Sequence, residues 1–114
     1  MDNIRLLKHA KELLKKGWTK NVFATDKAGQ HVSDFTTGAA CFCLIGAVRR
    51  AQYDLTSIAP GYNHVALGAL APAFKEDGKG LDTFVRIAEF NDTADSVDTV
   101  IAKVDAAIEY WEKQ

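Results

Sequence analysis

The chain has 114 residues, 47% of them hydrophobic and 25% charged, with 14 Lys and Arg against 15 Asp and Glu. That length and composition predict a single globular domain spanning 1–114 and exclude both a disordered chain and two independent cores. A net charge of −1 disfavours a strongly basic nucleic-acid binder and a heavily acidic DNA mimic alike.

The start, Met1-Asp2-Asn3-Ile4-Arg5, lacks the apolar core of a secretory signal, which points to the cytoplasm and away from a membrane. Residues 3 to 16 read as an amphipathic helix. Ile4, Leu7, Ala10 and Leu14, with Leu6 and Leu13 beside them, fall on one side, and Arg5, Lys8, Lys11, Glu12 and Lys15 on the other. Asp2 or Asn3 supplies the cap, and Lys15-Lys16-Gly17-Trp18 the stop: cations favour the C-terminal turn, and Gly17 suits a left-handed residue there. Trp18 reads as a core anchor folded back onto Leu13. From about 21 to 33 the pattern is that of a small β-hairpin, with Asp26-Lys27-Ala28-Gly29 as a turn ending in a left-handed glycine.

Gly38 to Val48 is a run without a charge. Five of its eleven residues are Gly or Ala, and it continues into Arg49-Arg50-Ala51-Gln52, so it predicts a buried central helix over about 37–53 instead of a strand. Ala39, Cys43, Gly46 and Ala47 form a stripe of small residues on which a neighbouring backbone can close in. Cys41 and Cys43, two apart on one helix, cannot bond to each other and form no Cys-x-x-Cys motif, so both are expected as free thiols.

Thr56 to His64, built around Pro60-Gly61, reads as a loop and is the first place to look for a site. Val65 to Leu70 reads as a helix, with a break or kink expected at Pro72. Another, from Leu81 to about Phe90, turns Phe84, Val85 and Ala88 inward, and Asn91-Asp92 is expected to make a turn by bonding its own backbone. In the last helix Val97, Ile101, Val104, Ile108 and Trp111 step along one stripe. The fold class that follows is mainly α: a compact bundle of four to five helices around the central one, with the hairpin on one side.

Gly17-Trp18 after the first helix, Cys43-Leu44-Ile45-Gly46-Ala47 on the central one, and Ile87-Ala88-Glu89-Phe90-Asn91-Asp92 before the last resemble a family of small phage and bacterial proteins. That family runs Gly-Trp, then Cys-x-x-Gly-Ala, then an apolar-x-x-aromatic-Asn-Asp segment. The resemblance spans nearly the whole chain, with Phe90 where tryptophan is commoner. It implies a phage or prophage origin and carries no established reaction.

Cys43, His64 and Asn91 supply, in chain order, the residue types of a thiol hydrolase: nucleophile, base and an amide orienting the imidazole. Against this, Cys43 lies among apolar neighbours that raise a thiol pKa, and a small buried packing residue is the simpler account. His9, His31 and His64 are scattered without ligand spacing, so no metal is predicted. Gly78-Lys79-Gly80 lacks the spacing of a phosphate loop, so no cofactor is predicted either. Arg49 and Arg50 with Lys75 and Lys79 suggest a basic patch, unless Arg50 pairs with Asp92 or another core-edge acid.

Candidate ligand- or partner-binding residues are therefore Arg50, Tyr62, Asn63, His64 and Asp92. The leading functional expectation is a phage-type accessory protein in the cytoplasm of a bacterial host, acting on a host protein and inhibiting host defence. The alternative is a small-ligand or nucleotide binder, with room for a homo-oligomer. A cysteine-dependent hydrolase ranks third.

Overall fold

The computed structural model describes residues 2–58, 64–75 and 80–114. The elements run α1 (Asn3–Lys16), β1 (Ala24–Thr25), β2 (Cys41–Phe42), α2 (Leu44–Thr56), α3 (His64–Phe74), α4 (Gly80–Thr93) and α5 (Val97–Glu112). This is the mainly helical bundle with a small antiparallel β element that the sequence predicts.

Asp2 opens α1 by accepting from the Ile4 and Arg5 amides. Leu6, Leu7, Ala10 and Leu14 are then buried as one stripe, and α1 packs with it against α2 and α5. Gly17 ends the helix in extended backbone, at φ −179°, not in the left-handed region expected. What requires glycine is space: a Cβ there would stand 2.5 Å from the Ala40 carbonyl oxygen and 2.8 Å from Cys41 Sγ.

The turn after Thr25 forms as expected, with Gly29 at φ 83° and the Asp26 carboxylate accepting from the Ala28 and Gln30 amides. The hairpin itself is short, with a Thr25–His31 bridge and backbone hydrogen bonds from Asp26 to the Gln30 carbonyl and from Val32 to the Ala24 carbonyl. The ladder forms with a later segment: β1 pairs antiparallel with β2, Ala24 opposite Phe42 and Thr25 opposite Cys41. On its other side Phe42 bridges Trp18, donating to the Gly17 carbonyl and accepting from the Thr19 amide.

This pairing corrects the start of the central helix, which begins at Leu44 and not near Thr37. The amides of Phe42 and Cys43 donate to the Gly17 and Phe23 carbonyls, so 41–43 are extended. Cys43 becomes the N-cap, its Sγ accepting from the Gly46 amide at 3.3 Å, and the Asn91 side chain accepts from the Leu44 amide at 3.0 Å. From there α2 is the buried centre, with Leu44 to Val48 and Ala51 inside and α1, α3 and α4 against it. The small-residue stripe works as expected at Gly46. A Cβ there would stand 2.1 Å from the Phe23 carbonyl oxygen.

Helix α3 does not break at Pro72 and runs on to Phe74. Pro72 lies in the final turn, where its missing amide removes one hydrogen bond and leaves the helix above it intact. Lys75, at φ 58°, then ends the helix. On α4, Ile87 is buried and Phe84 and Ala88 half-buried, but Val85 points outward, a correction to the predicted inward face. On α5 the stripe is centred on Val100, Val104, Ala107 and Ile108, with Val97, Ile101 and Trp111 at its edges. Among the described residues no helix is long and apolar enough to cross a membrane.

Candidate functional site

A cleft of about 320 Å³ lies between residues 21–23 and α4. Its base is the buried first turn of α2, where Cys43 and Ile45 meet Asn91. Half-buried Val22 and Phe23 line one side. Opposite them are Phe84 and Ala88, which share a stripe with Asn91 because they stand four and seven residues apart on α4. Exposed Asn21 and His31, with half-buried Asp92, form the mouth. Phe23 and Phe84 meet edge to face, ring centroids 6.2 Å apart.

The cleft exists because Asn91 ties three separate segments together. Its Oδ1 accepts from Trp18 Nε1 at 2.7 Å and from the Leu44 amide at 3.0 Å. Its Nδ2 donates to the Thr19 carbonyl and to Asp92 Oδ1, both at 3.1 Å. Asp92 Oδ1 also accepts from the Asn21 amide at 2.8 Å, holding Asn21 at φ 71°, a left-handed conformation that asparagine tolerates better than most residues. The expected local turn at Asn91-Asp92 is thus replaced by long-range bonds from inside α4.

Of the proposed Cys43, His64, Asn91 set, the structure brings Cys43 and Asn91 into one cleft. Asn91 makes four hydrogen bonds to the fold, which uses both its lone-pair positions and both its N–H groups, leaving none for an imidazole. Burial pushes the Cys43 thiol up to about 11; the Gly46 and Ile45 amides counter this, and the carboxylates of Asp92 and Asp34 add to it. At neutral pH about one thiol in ten thousand is ionised at such a pKa. The side chain of His64 lies outside the described residues, as do Tyr62 and Asn63. The histidine at the cleft is His31 instead.

Arg50 has a structural task. Its Nε donates to Asp54 Oδ1 at 2.9 Å, and its Nη1 to the carbonyls of Asp34 and Thr36 at 3.2 and 2.8 Å, pinning the 33–40 segment onto α2. Its acid is Asp54 and not Asp92. Arg49 pairs with buried Asp34 at 2.8 Å and lies over the rings of Phe23 and Phe35, 4.5 and 5.1 Å from their centroids. His9 is half-buried and bonded to Asp54 at 2.9 Å. Burial alone would raise the Asp54 carboxyl, but hydrogen bonds from His9 and Arg50 outweigh it and hold it below the usual range.

Of the expected basic patch, Arg49 and Arg50 are each paired with an acid, Asp34 and Asp54, and Lys79 lies outside the described residues. A second depression, about 390 Å³, lies beside Phe74, Phe90 and Lys103. Lys103 caps α3 by donating to the Ala73 carbonyl at 3.1 Å and lies over both rings, which makes this a packing seam. Among the described residues no group of three His, Cys, Asp or Glu is placed to hold a metal ion.

Of Arg50 and Asp92, the binding candidates whose side chains lie among the described residues, only Asp92 lines the cleft. Cys43 and Asn91 line it as well, whereas Asn21, Phe23, His31, Phe84 and Ala88 carried no signal beyond ordinary core and turn patterns. The i, i+4 spacing of Phe84 and Ala88 was the one available clue. No curated protein and no solved structure matches the chain. Residues 2–110 match the model of the Family of unknown function (DUF6197), and the chain belongs to that family.

Proposed function

We propose that this chain is a binding protein, an accessory protein of phage type that acts on a host protein and inhibits host defence from the bacterial cytoplasm. One observation supports binding over catalysis. The side chains best suited to chemistry are committed to the fold, with all four Asn91 bonds internal and the Cys43 thiol protonated, while the apolar cleft beside them stays open. The phage assignment rests on the order of the Gly-Trp, Cys-x-x-Gly-Ala and aromatic-Asn-Asp segments.

The test is affinity capture from a bacterial host lysate by the wild-type chain and by Ala88→Arg, which fills the cleft from a half-buried position. One protein should be retained by the wild type and lost from the variant, with both showing the same melting temperature. Retention by both would move the binding surface elsewhere, and retention of nothing would leave the second reading in front.

That second reading is a small-ligand or nucleotide binder. A cleft of about 320 Å³ is at the lower end of ligand-pocket sizes. A melting-temperature rise with one member of a metabolite panel, absent in Ala88→Arg, would favour it.

A further inference from the structure

We infer that the cleft receives a basic side chain, lysine or arginine, presented by the protein partner, with its apolar stem between Phe84 and Val22 and its charged end at Asp92. This rests on the binding reading above and adds the chemistry of the contact.

Three carboxylate residues among the described ones are not exposed: Asp26, Asp34 and Asp92. Asp34 is neutralised by Arg49 at 2.8 Å. Asp26 closes its own turn, accepting from the Ala28 and Gln30 amides. Asp92, like Asp26, accepts from two N–H groups on Oδ1 and pairs with no cation among the described residues, but of the two only Asp92 lines the cleft. It stands at the mouth of an otherwise apolar cleft. Its negative charge reaches the base, where it is one of the influences that keep the Cys43 proton in place.

The nearby arginine and lysine are engaged elsewhere, and His31, which shares the mouth, makes no ion pair with Asp92. Arg49 is paired with Asp34, and Lys20 lies 5.2 Å over the Trp18 ring, outside the cleft lining. An occupant must therefore be apolar along Val22, Ile45, Phe84 and Ala88 and either positive or hydrogen-bond donating at Asp92. A phosphate or carboxylate would meet a like charge. A purely apolar group would cover the carboxylate without a partner, at the cost of its desolvation. Lysine and arginine combine a hydrocarbon stem with a cationic end, the arrangement that these walls and this mouth complement.

The probes are Nα-acetyl-lysine methylamide, Nα-acetyl-norleucine methylamide, which keeps the four-carbon stem without the ammonium, and n-butylammonium, titrated while the amide resonances of Asn21, Val22, Phe84 and Ala88 are followed. The lysine probe should shift these four saturably, at least about tenfold more tightly than the norleucine probe. Asp92→Asn keeps an oxygen for the Asn21 and Asn91 N–H groups and should abolish that preference. The wild-type comparison alone decides the matter if the variant does not fold. Equal binding of the two amino-acid probes, shifts confined to other residues, or no shift at about 100 mM lysine probe would overturn the inference. Tighter binding of n-butylammonium than of the lysine probe would also overturn it, assigning the cleft to a free amine. If these results came with loss of the captured protein in Ala88→Arg, the binding reading would stand and only the basic occupant would fall.

Discussion

Trp18 Nε1 donates to Asn91 Oδ1 over 2.7 Å, joining residues 73 positions apart. The same oxygen accepts from the Leu44 amide, so one carboxamide fixes the segment after α1, the start of α2 and the end of α4. Asn91 is 1% exposed, which makes each of these bonds costly to lose. Asn91→Ala would strand the Trp18 and Leu44 N–H groups and the Thr19 carbonyl, and should lower unfolding free energy by about 2–5 kcal/mol. Urea unfolding followed by tryptophan fluorescence measures it; a loss within about 0.5 kcal/mol would remove Asn91 from its central position.

Two glycines in helices should respond oppositely to alanine. At Gly46 a Cβ meets the Phe23 backbone at 2.1 Å, so Gly46→Ala must push the 21–23 segment off α2 and should destabilise by about 2 kcal/mol or more despite its better helix propensity. At Gly68 a Cβ meets nothing within 4 Å among the described residues, and Gly68→Ala should stabilise by about 0.5–1 kcal/mol. Melting temperatures that move in the same direction for both would contradict the packing described here.

Cys43 should alkylate slowly. With its thiol near 11, reaction with a neutral alkylating agent at pH 7.5 is expected roughly 100-fold below that of a free cysteine, and urea should restore the ordinary rate. The same shift sets a pH dependence. The folded thiol keeps its proton above the ordinary value of 9.0, so stability is unaffected below 9.0 and falls as pH rises through about 11. Cys43→Ala should flatten that part of the curve. Rapid labelling of Cys43 in the folded protein at neutral pH, with Cys41 replaced by serine, would revive the thiol-hydrolase alternative.

The Arg49–Asp34 pair has side chains only 16% and 4% exposed, so removing one partner leaves a charge poorly solvated. Asp34→Ala should cost about 2–4 kcal/mol in chemical denaturation. Arg50 should still hold the 33–40 segment, because it binds the Asp34 and Thr36 carbonyls and not the Asp34 side chain. Local disorder of 33–40 in the variant, seen as fast amide exchange, would show that the ion pair, not Arg50, orders this stretch.

The bounds of α1 were legible because every signal lay within it or beside it: a cap at Asp2, apolar residues at helical spacing, and cations and Gly17 at the end. The turn with Gly29 at positive φ was legible for the same reason. Two other left-handed stops, Ser57 at φ 60° and Lys75 at φ 58°, use residues with no such preference and gave no warning.

Sequence by itself determined a helical bundle, a buried apolar segment at its centre and a glycine on that segment where another backbone closes in. Tertiary structure alone decided where that segment turns from strand to helix, and that a cleft opens beside it. Both depend on partners far along the chain: the Phe23 carbonyl, and an Asn91 side chain 47 positions beyond Leu44. Hydrophobic spacing records that a residue is covered but not what covers it, so Phe84 and Ala88 read as core until the fold set them across from Val22 and Phe23 with space between.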